Sequence, residues 1–296
     1  MTKPQDIFCT SHDGPLRLFG RRYGPPDARR TVLCLHGLTR NSLDFDALAR
    51  RLAAAGDQVL AFDQRGRGRS QWDPQAAHYL VDVYARDMLA ALDQIGVERA
   101  VLIGTSMGGL MSMLMAAAAP QRVLGVVIND IGPEIDPRGL DRIRAYVGKR
   151  PPAASWAEAA KAVAENNAVA FPDYGEADWL AFARRVCTEG PDGRVSAAYD
   201  PAIALGLEPG EAAVAPPDLW PLWEAMAPFP VLAIRGELSD LLSQGALERM
   251  AARHPGLQTA VVPARGHAPM LDEPVALDAI DRFLASLPPD PTSRQR

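Results

Sequence analysis

The chain has 296 residues, long for one average domain and short for two independent ones. With 48% hydrophobic and 23% charged residues it has the composition of a folded globular protein, which excludes wholesale disorder. A formal net charge of −5 argues against a nucleic-acid binder held by phosphate contacts. No run approaches the roughly 18–20 apolar residues of a membrane span. The opening residues from Met1 to Asp6 lack the apolar core of a signal peptide. Cys9, Cys34 and Cys187 are scattered, so neither a disulfide framework nor a metal knuckle is expected. These features predict a cytoplasmic protein with a small-molecule partner, and with neither nucleic acid nor membrane as a partner.

Strand-like and helix-like segments alternate through the first half. Thr31–His36 is a short apolar run of strand length, stopped by Gly37, and Ser42–Ala54 carries apolar residues at helical spacing. Gln58–Phe62 reads as a strand, Val81–Ile95 as a helix, Ala100–Gly104 as a strand, Met107–Ala118 as a helix and Val123–Asn129 as a strand. Continuous Val/Ile/Leu runs, in place of alternation, mark strands buried on both faces, hence a mostly parallel central sheet with helices on both faces. From residue 132 to 217 the chain turns to Ala, Pro and charge. Weak helical patterns stand near Arg138–Gly148, Trp156–Asn167 and Glu176–Cys187, with no convincing strand. The first pattern returns with the strand Pro230–Arg235, the helix Ser243–Ala252, the strand Thr259–Val262 and the helix Pro274–Leu287. The expected organisation is an α/β core over 1–131 and 218–288, a helical insertion over 132–217 and a disordered tail over 289–296.

Gly104-Thr105-Ser106-Met107-Gly108 is a G-x-S-x-G sequence between a buried strand and a helix. That strand–turn–helix setting holds a serine hydroxyl clear of the backbone, and the flanking glycines are required because side chains there would collide across the turn. A serine hydroxyl needs an adjacent base to act as a nucleophile. His267, in the loop after the last apolar strand, stands where a parallel sheet collects its catalytic groups. His12, His78 and His254 have ordinary polar or helix-end settings.

The imidazole needs a carboxylate to fix its tautomer. Asp240, after the strand Pro230–Arg235, is the expected acid, and Asp130, directly after Val123–Asn129, is the alternative. The oxyanion would be held by two backbone amides, that of Met107 at the helix start and that of Leu38 in the loop after Thr31–His36. His36 is expected to brace that loop and is a candidate pocket residue. The five histidines show neither H-x-x-x-H nor H-E-x-x-H spacing, so no metal is expected, and no cofactor either.

The order Ser106, Asp240, His267, the His36-Gly37 pair before a helix, and the stretch Asp63-Gln-Arg-Gly-Arg-Gly-Arg-Ser70 together resemble the α/β-hydrolase superfamily. The last stretch is similar to the D-x-R-G-x-G-x-S signature of its capped members with a serine nucleophile, which include esterases, meta-cleavage-product hydrolases and proline iminopeptidases. The resemblance spans about residues 7–287, with the insertion recognisable by place and not by sequence. It implies an α/β-hydrolase fold with a helical cap inserted after the sixth strand and closing over the site. Arg65, Arg67 and Arg69 would then be partly solvated loop scaffolding.

In the cap, Trp156, Tyr174 and Trp179 are candidate substrate-binding residues, together with Met270 just after His267. The implied function is hydrolysis of a carboxylic ester or lactone of a small to medium, largely apolar substrate through an acyl-enzyme on Ser106. Hydrolysis of a carbon–carbon bond, as in meta-cleavage-product hydrolases, is the alternative. A non-enzymatic small-molecule receptor on the same fold is the second alternative.

Overall fold

The computed structural model describes residues 3–207 and 218–288. The expected tail over 289–296 and the distal end of the expected insertion, 208–217, lie outside the described residues. The centre is an eight-stranded sheet in the order β1-β2-β4-β3-β5-β6-β9-β10. In chain order these strands are β1 (Gln5–Thr10), β2 (Arg17–Tyr23), β3 (Thr31–Leu35), β4 (Gln58–Phe62), β5 (Ala100–Thr105), β6 (Val123–Asn129), β9 (Val231–Gly236) and β10 (Leu257–Val262). From β4 to β10 every neighbouring pair is parallel, whereas β1 and β2 form an antiparallel edge.

The five central apolar runs were legible because they are buried over nearly their whole length. Every residue of β4, β6 and β9 is buried, as parallel strands covered on both faces must be. Sequence reading missed β1 and β2, whose apolar residues are diluted by Arg, Asp and Gln at an exposed edge. Gly20 in β2 faces the ring of Phe62, where an added Cβ would come within 2.7 Å, so this strand pairs with β4 only because the position is empty.

Helices cover both faces. α1 (Asp46–Ala54) and α9 (Pro274–Ser286) place Leu48, Leu52, Ile280 and Phe283 on one core that includes Val32, Val59 and Ile234. On the other face α2 (Val81–Gln94), α3 (Met107–Ala118) and α8 (Gln244–Arg253) supply Met88, Leu92, Met111, Met115, Leu247 and Met250. The short α7 (Trp220–Glu224) buries Trp223 there. His254, expected at a helix end, ends α8 and is buried beside Trp223, with Nε2 3.1 Å from the Met226 carbonyl.

The segment after β6 carries α4 (Pro137–Tyr146), α5 (Trp156–Asn167) and α6 (Glu176–Val186). Pro137 at the first turn after the cap Asp136 starts α4, and Ser155 caps α5 by accepting from the Glu158 amide. The segment is not purely helical as expected. A hairpin of β7 (Cys187–Glu189) and β8 (Val195–Ala197) follows α6, too short for alternation to show in sequence. Its own small core joins Val163, Phe171, Trp179, Phe182 and Val186 to Met270 of the α/β layer. Backbone bonds from Gly68 to Ala198, from Asp200 to Gly66 and from Gly266 to Ala170, each 2.7–2.8 Å, fasten the segment along the rim of the sheet.

Candidate active site

Ser106 lies between β5 and α3 with φ 54° and ψ −118°, a backbone conformation that a residue with a side chain adopts only where its surroundings enforce it. The enforcement is steric. A Cβ on Gly104 would fall 2.2 Å from the Gly108 carbonyl oxygen, and one on Gly108 would fall 1.9 Å from that of Leu35. Both glycines are therefore required for the sharp turn that lifts Ser106 above the sheet.

Ser106 Oγ is 2.8 Å from His267 Nε2, and His267 Nδ1 is 2.8 Å from Asp130 Oδ2. Asp130 is fully buried and His267 nearly so. Asp130 Oδ1 accepts from the Gly236 amide at 2.7 Å, and Oδ2 also accepts from the Ser239 hydroxyl at 2.6 Å. This surrounds the carboxylate with donors and leaves it one direction, towards the imidazole. Asn129, the last residue of β6, donates to the Pro269 carbonyl at 2.8 Å and to Thr105 Oγ1 at 3.1 Å, tying the histidine loop to β5 and β6. The chain of hydroxyl, imidazole and carboxylate can pass a proton from Oγ to the ring while the buried acid holds the ring's tautomer.

The expectation that Asp240 meets the histidine is corrected. Asp240 makes a two-pronged ion pair with Arg142 of α4, at 2.6 and 2.8 Å. Burial raises its pKa, but the bonds to Arg142 outweigh that and hold it below the usual carboxylate value. The positions after β6 and β9 lie on neighbouring strands, so either aspartate was within reach. The Gly236 and Ser239 donors gather the acid at Asp130, while α4, which the sequence could not dock, supplies the cation that takes Asp240.

Gly37 and Leu38 sit beside the serine: a Cβ built on Gly37 would come within 3.7 Å of Ser106 Cβ. The amides of Leu38 and Met107 donate to no acceptor among the described residues, and the Leu38 carbonyl is held by Arg67 Nε at 3.0 Å. His36 braces this loop but does not line the pocket. It is wholly buried, with Nδ1 2.7 Å from the Gly37 carbonyl and Nε2 accepting from the Gln64 amide at 3.0 Å. Burial lowers its pKa to about 4, against a partial upward pull from the Gly37 carbonyl.

The arginines of the Asp63–Ser70 loop also differ from expectation. Arg65 and Arg67 are completely buried, and only Arg69 is solvated. Arg65 bonds Asp87 twice at 2.8 Å, Asp73 at 2.6 Å and Asp13 at 3.1 Å. These acids, with His12 and His78, form two groupings close enough to hold a cation, but the guanidinium of Arg65 already stands among them. Arg67 lies over the Tyr84 ring.

A cleft opens from Ser106 and His267 towards the inserted segment. Of the expected substrate-binding residues only Met270 lines it. Trp156 is bonded to Glu189 on the outside of the segment. Tyr174 and Trp179 stand behind Phe171, at ring-centroid distances of 4.6 and 6.2 Å, so they support the wall without forming it. The wall itself comes from Phe171, Phe182, Tyr199, Val163 and Val186 and, unforeseen, from the polar residues Tyr146, Arg150 and Asn166. Helical periodicity marked α4, α5 and α6 but not which of their faces turns to the cleft.

Comparison with known proteins agrees with this construction. The family model described as alpha/beta hydrolase fold matches residues 30–274. The chain is 33% identical over 289 residues to a 3-hydroxybutyrate-oligomer hydrolase of Cupriavidus necator, covering 94% of this chain and 96% of that protein. It is 32% identical over 262 residues to a 2-(acetamidomethylene)succinate hydrolase of Mesorhizobium japonicum, covering 86% and 87%. The crystal structure of an alpha/beta hydrolase from Novosphingobium aromaticivorans superposes with a TM-score of 0.89 at 44% identity, over 96% of this chain and 99% of that one. Among the described residues no helix is long and apolar enough to cross a membrane. With the family model matching residues 30–274 and similarity to these proteins along nearly its whole length, the chain belongs to the α/β hydrolase family and is a hydrolase.

Proposed function

We propose that this protein is a cofactor-independent serine hydrolase that cleaves a carboxylic ester through an acyl-enzyme on Ser106. The observation that carries the reading is the unbroken relay from Ser106 Oγ through His267 to Asp130, with both links at 2.8 Å. Ser106 Oγ attacks the ester carbonyl as His267 Nε2 takes its proton. The negative charge that develops on the carbonyl oxygen is met by the Leu38 and Met107 amides, whose N–H groups have no other acceptor among the described residues. Collapse of the tetrahedral intermediate expels the alkoxide, which takes the proton from His267 and leaves as the alcohol. Water then attacks the acyl-enzyme with His267 as its base, releasing the acid and restoring the serine.

The segment after β6 acts as a cap, closing the cleft with α4, α5, α6 and the hairpin. The name of the Cupriavidus relative supports an ester among the possible bonds. The test is initial rates on p-nitrophenyl esters from acetate to decanoate, two lactones and one ring-cleavage dienone, for wild type and Ser106→Ala. Turnover of an ester that depends on Ser106 supports the reading. Turnover of the dienone alone replaces it with carbon–carbon cleavage.

A further inference from the structure

The charges in the cleft do not balance. Among the described residues Asp44 is the one carboxylate in its lining, and Arg40 binds it in two bonds of 2.6 and 2.8 Å, so that pair cancels. A second guanidinium, that of Arg150, also lines the cleft. It bonds the Ala162 carbonyl and meets no carboxylate among the described residues. A guanidinium carries five donors in a flat fork, so one backbone carbonyl leaves most of them unused.

Asn166 is on the same wall, and its side-chain amide makes no hydrogen bond to another described residue. Around them stand the phenols of Tyr146 and Tyr199 and the apolar side chains of Val163, Phe171 and Phe182. An uncompensated cation in a partly apolar cleft that also opens on Ser106 favours an anion, because low polarity strengthens the attraction and a carboxylate matches the fork.

We infer that Arg150 recognises a carboxylate carried by the substrate, so that the ester cleaved is an anionic one, such as an ester of a hydroxy acid with its acid group free. Asn166 adds a hydrogen bond to the same group or to the linker beside it. This rests on the ester-hydrolase reading and narrows it: the expectation of a largely apolar substrate gives way to one with an apolar body and a charged end. Arg150 is a specificity residue. It takes no proton and makes no bond to the reacting carbon.

The test compares matched pairs of esters, p-nitrophenyl butyrate with mono-p-nitrophenyl succinate, and methyl 3-butyryloxybutyrate with free 3-butyryloxybutyrate. The pairs place the charge on the acyl and on the alcohol side respectively. The readout is the ratio of kcat/KM for the anionic over the neutral member. In Arg150→Gln that ratio falls about 10–100-fold for one pair, mainly through KM, and Arg150→Lys restores part of it. A ratio unmoved in both pairs overturns the inference, including the case where Arg150→Gln slows all four esters equally through a structural fault.

If wild type hydrolyses none of the four, the ester reading fails separately. The carboxylate site is then decided by calorimetry on Ser106→Ala protein with monomethyl glutarate and dimethyl glutarate. Tighter binding of the anion that disappears in Ser106→Ala/Arg150→Gln supports the site, and equal binding of the two compounds overturns it.

Discussion

Asp130 and His267 meet at 2.8 Å although 137 positions separate them in the chain, an interval that contains the whole inserted segment. Asp240, much nearer to His267 in sequence, is bound to Arg142 instead. The two aspartates should therefore respond differently to the same change. Asp130→Asn is expected to reduce kcat about 10⁴-fold, because an amide can hold the ring in the wrong tautomer. Asp240→Asn should stay within tenfold of wild type. Steady-state rates on one active ester, with circular dichroism to check folding, decide this; the opposite ranking would move the acid to Asp240.

Ser106→Ala removes the hydroxyl that His267 Nε2 meets at 2.8 Å while adding no atom to the turn. Turnover should drop by about 10⁶-fold, to a residual set by binding and the oxyanion donors. The unfolding midpoint should stay close to that of wild type. Undiminished turnover by purified variant protein would remove Ser106 from the mechanism.

Gly108→Ala forces a Cβ to within 1.9 Å of the Leu35 carbonyl oxygen, a backbone atom that cannot swing aside. Destabilisation of at least about 2 kcal/mol is expected, together with loss of activity as the turn opens. Urea denaturation measures it, and a variant as stable as wild type would show that the turn has room after all.

His36 should make the protein acid-sensitive. Its folded pKa, lowered to about 4, lies below the ordinary histidine value of about 6.5, so the unfolded chain takes up the proton first. The contribution of the neutral ring is therefore fully present above about pH 6.5 and is lost as the pH falls towards 4. The cause of the shift is burial, which disfavours the charged ring; protonation would also cost Nε2 the bond it accepts from the Gln64 amide. Stability measured at pH 7.5 and pH 5 should fall less steeply in His36→Gln than in wild type, and parallel slopes would refute the assignment.

Arg65→Met leaves the fully buried Asp87 and the nearly buried Asp73 without their cation. Breaking a buried ionic cluster on one side costs about 3–5 kcal/mol. A loss below about 1 kcal/mol, from thermal or urea unfolding, would mean that the aspartates take up protons or water at little cost.

The amino-acid order alone determined the parallel centre of the sheet, the serine turn, the histidine loop and the helical segment after β6. Those features are local or nearly so: a buried strand must be apolar throughout, and a turn where a Cβ would fall 1.9–2.2 Å from a backbone oxygen must be built of glycine. The edge strand β1 and its neighbour β2 were hidden because Arg, Asp and Gln interrupt their apolar pattern. Which aspartate faces His267 was decided only in three dimensions, by the Gly236 amide and the Ser239 hydroxyl at one candidate and by Arg142 at the other.

The same holds for the cleft. Phe171 lines it and Trp179 backs it, yet both are buried aromatics in one cluster, and composition cannot tell a wall from its support. Arg150 is one arginine among many until the folded chain shows that Arg40 has already taken the one carboxylate that the described residues place in the cleft's lining. Charge balance within a cavity is a property of residues brought together from distant positions, so it appears only once the tertiary structure has assembled them.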